Sequence, residues 1–257
     1  MKIKQVLSAL ERFAPLPLQE SWDNAGLQLG LTEAEVSGAL LCLDVNEAII
    51  DEAIRKGCNL IVSHHPLLFR GLKQISGQDY VQRCVIKAIK HDIVIVSMHT
   101  NMDNAQGGVN FKIAERLGAI VLSGSVAEME KTPFVLAELP SPMDARTFIE
   151  LVKKQFGVQC AQCNALLERP IRKAAICGGA GDFLLPDAIA SGADAFITGE
   201  MHYHQYFGVE QQIQICVIGH YQSEQFTSEI FRDIIQKECA GVRTEIAETN
   251  TNPIVYI

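Results

Sequence analysis

The segment GALLCLDVNEAIIDEAIRKGCNLIVSHH, residues 38–65, sets the fold class. It begins with an apolar run (38–45), continues with an amphipathic helical pattern (46–57) that stops at Gly57, and closes on a second apolar run (58–65). Uninterrupted apolar strands joined by a helix are typical of a parallel sheet that is covered on both faces. The segment therefore predicts an α/β fold.

The same alternation continues on both sides of a polar connector at 123–133. A helix (80–92) and a strand (93–100) precede it, and the elements predicted after it are strands 134–139, 173–179, 193–200 and 213–220 and helices 144–157, 182–192 and 223–241. Residues 158–173 carry no assignable pattern. We expect two related three-layer α/β domains with mostly parallel sheets, 1–125 and 126–257, and an edge strand near the end that either stays in the second domain or packs back on the first.

The composition is that of an ordinary globular protein. Of 257 residues, 48% are apolar and 20% are charged, and 22 Lys and Arg against 30 Asp and Glu give a net charge of −8. An acidic chain argues against a long nucleic-acid groove, because such a groove needs clustered basic residues, and it leaves room for a local basic patch. No apolar run is long enough to span a membrane, and Glu11 and Arg12 interrupt the first apolar stretch. These features predict a cytoplasmic protein without a membrane segment.

The eight cysteines lie singly in apolar segments, with one exception. Reduced, buried thiols that behave as small hydrophobic groups are the expectation for such a chain in the cytoplasm. The exception is Cys160-x-x-Cys163, whose spacing is compatible with a zinc site or a redox pair. A single pair of this kind, with no histidine nearby, is a weak signal for either.

Six of the seven histidines lie at or just after predicted strand ends: His64, His65, His99, His202, His204 and His220. Ligands of open parallel sheets bind beyond the carboxyl ends of the strands, so this distribution predicts a site. The two halves also align, with His64 and His65 opposite Gly199 and Glu200. His99-x-x-x-Asp103 and His220-x-x-x-Glu224 end equivalent strands, which indicates an internal duplication.

Each of these residues also has a purely structural alternative. Adjacent His64 and His65 point to opposite faces if the strand continues. They would then bind two different ions, or one ion and a substrate. The structural alternative is that one ring packs in the sheet while the other is solvated. Asp103 and Glu224 are well placed to cap helices. Their pairing with histidines favours the interpretation as metal ligands.

Mixed imidazole and carboxylate ligands suit zinc, iron, manganese or a similar divalent ion, whereas calcium and magnesium prefer oxygen alone. Five or more ligands exceed what one catalytic zinc requires. The set fits two ions about 3.5 to 4 Å apart that share a carboxylate and a water or hydroxide.

Six motifs in chain order resemble those of the NIF3-like proteins, a family often labelled type 2 GTP cyclohydrolase I homologues. They are SWDNAGLQLG (21–30), SHHPLLFRG (63–71), HTNMDNAQGGVN (99–110), GGAGD (178–182), TGEMHYH (198–204) and GHYQSE (219–224). The resemblance covers nearly the whole chain. Longer members carry an inserted domain in mid-chain, and at this length the sequence resembles the short bacterial form without it.

The resemblance implies a dinuclear metal centre in the cleft between two α/β domains, in a toroidal homohexamer. The ligands that it implies are His64, His65, Asp103, His220 and Glu224, with Asp103 and Glu224 as the candidates to span both ions. Near them it places Asp23, Asn24, His99, His202 and His204, and we expect His99, His202 and His204 to serve as catalytic proton carriers.

The function predicted from these residues is a metal-dependent hydrolase that acts on a nucleotide or related heterocycle, with GTP cyclohydrolase-like ring opening as one possibility. Phosphoester hydrolysis fits the same ligands. The alternatives from other classes are a non-catalytic metal-binding or scaffold protein and a DNA-associated ring. GGAGD (178–182) is either a backbone anion site or a tight turn, and Arg70 and Lys73 are candidate phosphate contacts.

Overall fold

The structure is a computed structural model that describes residues 1–122, 133–255 and 257. The chain forms two compact units, the first from Met1–Ala105 with Thr227–Ile257 and the second from Gln106–Phe226. The predicted domains, 1–125 and 126–257, differ from these units in two ways: the second unit begins at Gln106, and the segment from Thr227 groups with the N-terminal unit. The polar connector predicted at 123–133 lies outside the described residues apart from Pro133.

Strands and helices are interspersed along the described part of the chain. The strands are β1 (Gly26–Leu29), β2 (Ala39–Cys42), β3 (Leu60–Ser63), β4 (Val94–Ser97), β5 (Ile120–Val121), β6 (Val135–Met143), β7 (Gln162–Cys163), β8 (Ile171–Cys177), β9 (Ala195–Thr198), β10 (Gln214–Val217) and β11 (Thr244–Ile246). The helices are α1 (Ile3–Phe13), α2 (Glu47–Lys56), α3 (Tyr80–Lys90), α4 (Thr100–Asn104), α5 (Val109–Arg116), α6 (Ala145–Phe156), α7 (Leu185–Ala190), α8 (His220–Glu224) and α9 (Thr227–Glu238). Within the described residues, every helix is too short or too polar to cross a lipid bilayer.

The first unit contains a five-stranded sheet in the order β1-β4-β3-β2-β11, in which all pairs are parallel except β1 with β4. Strands β2, β3 and β4 are buried along their whole length, as continuous apolar strands require. Asn46 caps the start of helix α2, where its side chain accepts a hydrogen bond from the Ile49 amide. Gly57 caps the end of the helix in the left-handed conformation.

The C-terminal segment joins this unit through a strand and a helix. Strand β11 pairs in parallel with β2, and helix α9 packs against α1. The edge strand expected near the end of the sequence is therefore present, and it lies in the sheet of the first unit. Chain order alone places it in the second half, whereas hydrogen bonding places it beside β2.

The second unit contains a six-stranded sheet in the order β5-β6-β8-β9-β10-β7. Only the pairs β8–β9 and β9–β10 are parallel among the described residues, so this sheet is mixed rather than mostly parallel as expected. The reason lies in β6, whose first residues alternate between buried and half-buried positions, a pattern typical of an antiparallel strand with one face on the core. The α/β class itself is confirmed.

Both units share a parallel three-strand core, β2-β3-β4 in the first and β8-β9-β10 in the second, with a short antiparallel strand beyond the third member. His64 and His65 follow β3 where Gly199 and Glu200 follow β9. A five-residue helix starts just beyond the third strand in each unit, α4 after His99 and α8 at His220. The common order supports an internal duplication and brings the polar side chains of each unit to one edge of its sheet.

Candidate metal centre

Three imidazole rings of the first unit form a compact triangle. The ring centroids of His64 and His65 lie 4.9 Å apart, those of His64 and His99 lie 5.2 Å apart, and those of His65 and His99 lie 5.3 Å apart. One nitrogen from each ring falls within 4.8 Å of the other two. The end of β3 supplies two rings and the end of β4 supplies the third. The predicted ligands His64 and His65 are thus joined by His99, which we had expected to act as a proton carrier.

An oxygen acceptor fixes the tautomer of each of these rings. The Nδ1–H of His64 donates to the Met98 carbonyl (2.9 Å), that of His65 to Oδ1 of Asp44 (2.8 Å), and that of His99 to Oδ1 of Asp23 (2.7 Å). Because Nδ1 carries the proton, Nε2 of the neutral ring carries the lone pair. This arrangement orients histidines in metal sites and raises their basicity as ligands.

The two carboxylates behind the rings are held in the ionised form. Burial raises the pKa of Asp23, but hydrogen bonds from His99, Thr100 and the Asn24 amide outweigh it and lower this pKa to about 2. Burial likewise raises the pKa of Asp44, and hydrogen bonds from His65 and Thr251 lower it below its ordinary value. Each ring therefore has a charged or carbonyl oxygen behind it.

The carboxylate of Asp103 approaches the His64 ring from helix α4. Oδ1 of Asp103 lies 3.6 Å from Nε2 of His64, and the His64 side chain is fully buried. Both atoms carry electron pairs when the ring is neutral, so only a cation between them, a proton or a metal ion, makes the contact attractive. Protonating the adjacent His64 and His65 rings would place two positive charges side by side. One divalent ion instead binds neutral rings, so the donor set fits a metal.

The second unit repeats the contact at the start of α8. Nε2 of His220 lies 3.2 Å from Oε2 of Glu224, and Nδ1–H of His220 donates to Oε1 of Glu200 at 2.8 Å. Glu224 is nearly fully buried. Gly179 leaves the space for this carboxylate, because a Cβ atom at position 179 would overlap the Glu224 carboxylate. The backbone of Gly179 is left-handed, which also favours glycine there.

The two other predicted catalytic histidines belong to a short 3-10 helix, Tyr203–Tyr206, in this unit: His202 precedes it and His204 lies within it. His202 is exposed, and its Nδ1–H donates to Asp182. His204 packs its ring against Tyr203 and Phe207. The groups that are close enough to share an ion among the described residues do not include either histidine.

The glycine motif GGAGD forms a turn whose amides are used within the protein. The amide of Gly178 donates to Asn110, that of Gly179 to Ser223, and that of Gly181 to Thr198. Three amides with side-chain partners favour the tight turn over the anion site. The helix that follows, α7, is only six residues long.

Exposed aromatic rings border the triangle of histidines. The Trp22 ring lies 5.9 Å from the His99 ring and the Phe69 ring lies 5.3 Å from it, both in edge-to-face geometry. Trp22 is 63% exposed and Phe69 is 47% exposed. Large exposed apolar side chains beside buried polar groups are typical of a ligand site.

Sequence reasoning missed Asp44. This residue comes two positions after β2, at the same edge of the sheet as His64 and His99, so the rule that selected the histidines would have selected it too. Position 48, four residues further on, is alanine, so Asp44 lacks the four-residue spacing that marks His99 with Asp103 and His220 with Glu224. Asp23 was found through its motif, and its partner in the structure is His99.

The fold and the site define an α/β protein of two units that carries imidazole and carboxylate groups suited to a divalent metal. The chain belongs to the Duf34/NIF3 (NGG1p interacting factor 3) family, whose model matches residues 1–253. The resemblance drawn from the six motifs is thereby confirmed.

Relatives and solved structures agree with this membership. The chain is 36% identical over 228 residues to a GTP cyclohydrolase 1 type 2 homolog of Clostridium perfringens, with 87% of each chain covered. It is 30% identical to a protein of the same name from Campylobacter jejuni, with both chains covered completely. A hypothetical protein of Staphylococcus aureus has the same fold, with a TM-score of 0.90, 26% identity and coverage of 100% of this chain and 99% of that one.

Proposed function

We propose that this protein is a metal-dependent hydrolase that acts on a nucleotide or a related heterocycle. Its two divalent ions, zinc, iron, manganese or similar, are bound by His64, His65, Asp103, His220 and Glu224. The observation that carries the proposal is the pair of contacts between Nε2 and a carboxylate oxygen, His64 with Asp103 and His220 with Glu224. The name of the curated relatives, GTP cyclohydrolase 1 type 2 homolog, supports hydrolysis of a guanine nucleotide as one candidate reaction.

The chain's own residues divide the work between binding and proton transfer. His99 is held by the ionised Asp23, so it is oriented to accept a proton and return it to the leaving group. Asp103 and Glu224 would supply negative charge that compensates the cations. When bound, the two cations would make a water molecule more acidic and polarise the bond under attack. We keep His202 and His204 as further candidates for proton transfer.

The substrate class follows from the surroundings of His99. Trp22 and Phe69 offer exposed rings on which a flat heterocycle stacks, a contact that does not depend on which base is bound. Arg70 and Lys73 are exposed and follow His65 closely, so they are candidates to contact a phosphate. This combination favours a nucleotide over a small acyl or glycosyl substrate.

Removal of the metals is expected to abolish turnover, and the carboxylate variants should behave in the same way. The protein is stripped with a chelator, restored with manganese, iron or zinc, and assayed with nucleotides including GTP, with formate and phosphate release read separately. In an Asp103→Asn, Glu224→Gln double variant we expect kcat/KM to fall by about 100-fold or more. Mutation of a residue that only hydrogen-bonds to a metal ligand already lowers metal affinity or activity by about 10- to 100-fold.

A matched double variant, Asp51→Asn with Glu150→Gln, removes one exposed acid from each unit and should leave the rate unchanged. Full activity of the Asp103→Asn, Glu224→Gln protein would overturn the proposal. Tight metal binding without turnover across the panel would instead establish the rival function, a non-catalytic metal-binding or scaffold protein. Phosphate release without formate release would select the phosphoesterase.

The aromatic contact gives a separate prediction. In a Trp22→Ala variant we expect KM for the heterocyclic substrate to rise about tenfold or more while the metal content stays the same, because stacking on an aromatic ring is worth about 1 to 3 kcal/mol. Leu31→Ala removes another exposed apolar side chain of the first unit and serves as the control. An unchanged KM in Trp22→Ala would show that the substrate does not stack there.

The homohexamer implied by the family resemblance stays a prediction, and so does the cytoplasmic location expected from the sequence. So does the absence of nucleic-acid binding, for which the net charge of −8 is the supporting observation.

A further inference from the structure

Two free thiols of the second unit face each other across a pair of antiparallel strands. Cys163 in β7 stands directly opposite Cys216 in β10, and both cysteines are reduced. Opposite residues of antiparallel strands have Cα atoms about 4.5 to 5.5 Å apart and side chains on the same face. Disulfides span Cα distances of about 4.4 to 6.8 Å, so this register suits a disulfide.

The side chain of Asn164 locks the register of these strands. Its Oδ1 accepts hydrogen bonds from the Ile215 amide (2.9 Å) and from Nε2 of Gln214 (2.8 Å), and its Nδ2 donates to the Ile213 carbonyl (2.8 Å). Because Asn164 follows Cys163 directly, these bonds hold the two thiols opposite one another. A disulfide would therefore form without moving the backbone from its present pairing.

The surroundings of the two thiols differ in the way that thiol exchange requires. Cys216 is completely buried, whereas Cys163 is half-buried at the sheet edge. A hydrogen bond from the Cys216 thiol lowers the pKa of Cys163, while that hydrogen bond and burial raise the pKa of Cys216 well above its ordinary value. Cys163 is thus the thiolate that attacks and Cys216 the thiol that resolves.

We propose that Cys163 and Cys216 form a reversible redox pair that low-molecular-weight disulfides oxidise. The Cys163 thiolate attacks one sulfur of the small disulfide, which forms a mixed disulfide and releases one small thiol. Cys216 then loses its proton and attacks the Cys163 sulfur, which releases the second small thiol. The protein loses two electrons and two hydrogens, and the small disulfide gains them.

The proposal replaces the redox interpretation of Cys160-x-x-Cys163. Cys160 lies before β7, is exposed, and has no opposite residue in the sheet. Strand β10, which carries Cys216, ends three residues before His220. Oxidation would therefore link the edge strand to the strand that leads into the candidate metal ligands of this unit.

The test uses the folded, reduced full-length protein in glutathione buffers of graded ratio. Thiols are blocked by rapid alkylation, and digested peptides are mapped by mass spectrometry. We expect a linked peptide pair containing Cys163 and Cys216, loss of two free thiols, and full recovery on reduction. Cys160→Ser should form the same link, and Cys163→Ser should not form it.

A trapped intermediate separates this pair from other thiol chemistry. Cys216→Ala, which keeps the buried position apolar, should stop at one glutathione adduct on Cys163. A link between Cys160 and Cys163, or an adduct confined to Cys160 under oxidising conditions, would overturn the proposal. So would alkylation of both Cys163 and Cys216 in wild-type protein at glutathione ratios that modify Cys160.

Discussion

Removing the His65 imidazole is expected to weaken binding of a divalent metal by about 100-fold or more. His65 is one of three rings whose nitrogens cluster within 4.8 Å, and its Nδ1–H is already committed to Asp44, so Nε2 is the nitrogen that it offers to an ion. A His65→Ala protein keeps Asp44 and the remaining rings but loses one ligand. Loss of a ligand should weaken metal binding more than loss of a residue that hydrogen-bonds to a ligand, which typically lowers the affinity by about 10- to 100-fold. Competition with a chromophoric chelator measures the affinity.

Asp44, which accepts the hydrogen bond from His65 Nδ1–H, gives a variant with a smaller expected loss of metal affinity. Asp44→Asn keeps an oxygen that can accept from Nδ1–H but removes the negative charge, so we expect the affinity to fall by about tenfold. His91→Ala removes an exposed imidazole at the end of α3 and should leave the affinity unchanged. Equal affinity in wild type and His65→Ala, with circular dichroism showing both folded, would remove His65 from the ligand set.

The histidine positions could be predicted because they depend on strand ends, which apolar runs mark clearly. Strands β3 and β4 are short and fully buried, so the first polar residues after them, His64 and His99, lie at the carboxyl edge of the sheet. The residues that accept hydrogen bonds from Nδ1–H of these histidines were harder to predict. Asp44 and Asp23 reach their rings through the tertiary fold, over separations of 21 and 76 residues, and no periodicity encodes such contacts.

Strand order in the second unit could not be predicted for a related reason. The buried strands β8, β9 and β10 were identifiable as apolar runs, but β7 consists of two residues, Gln162 and Cys163, in the stretch left unassigned. Its place beside β10 depends on the side-chain hydrogen bonds of Asn164 rather than on β-propensity. The thiol pair was invisible for the same reason, since Cys163 and Cys216 are 53 residues apart in the sequence and meet only through that pairing.

Replacing Glu52 with glutamine is expected to destabilise the first unit by about 3 kcal/mol at neutral pH. The Glu52 carboxylate is fully buried on α2 and accepts hydrogen bonds from the Glu248 amide (2.8 Å), the Thr249 amide (3.0 Å) and the Thr249 hydroxyl (2.6 Å). Nζ of Lys56 lies 3.1 Å away. Glutamine would turn an NH2 group toward donors that need an acceptor. Denaturant unfolding measures the change in free energy.

The pH dependence separates the charge of Glu52 from its volume. Burial raises the pKa of Glu52, but the hydrogen bonds from residues 248 and 249 and from Lys56 lower it from 4.5 to about 2. The folded pKa lies below the unfolded one, so the stabilisation is complete above about pH 5 and is lost as the pH falls toward 2. One pKa unit is worth about 1.4 kcal/mol, so the fall from 4.5 to about 2 sets an upper limit of about 3.5 kcal/mol, close to the 3 kcal/mol expected.

The difference in stability between wild type and Glu52→Gln should therefore shrink steadily between pH 5 and pH 2, because protonation makes the wild-type side chain resemble glutamine. Asp23 also titrates far below its ordinary range in this unit, but it is present in both proteins and cancels in the difference. Glu47→Gln, on the same helix and ion-paired with Arg83 at the surface, should cost less than about 1 kcal/mol. A Glu52→Gln deficit that is constant with pH would mean that packing, rather than the buried charge, anchors the C-terminal segment to this unit.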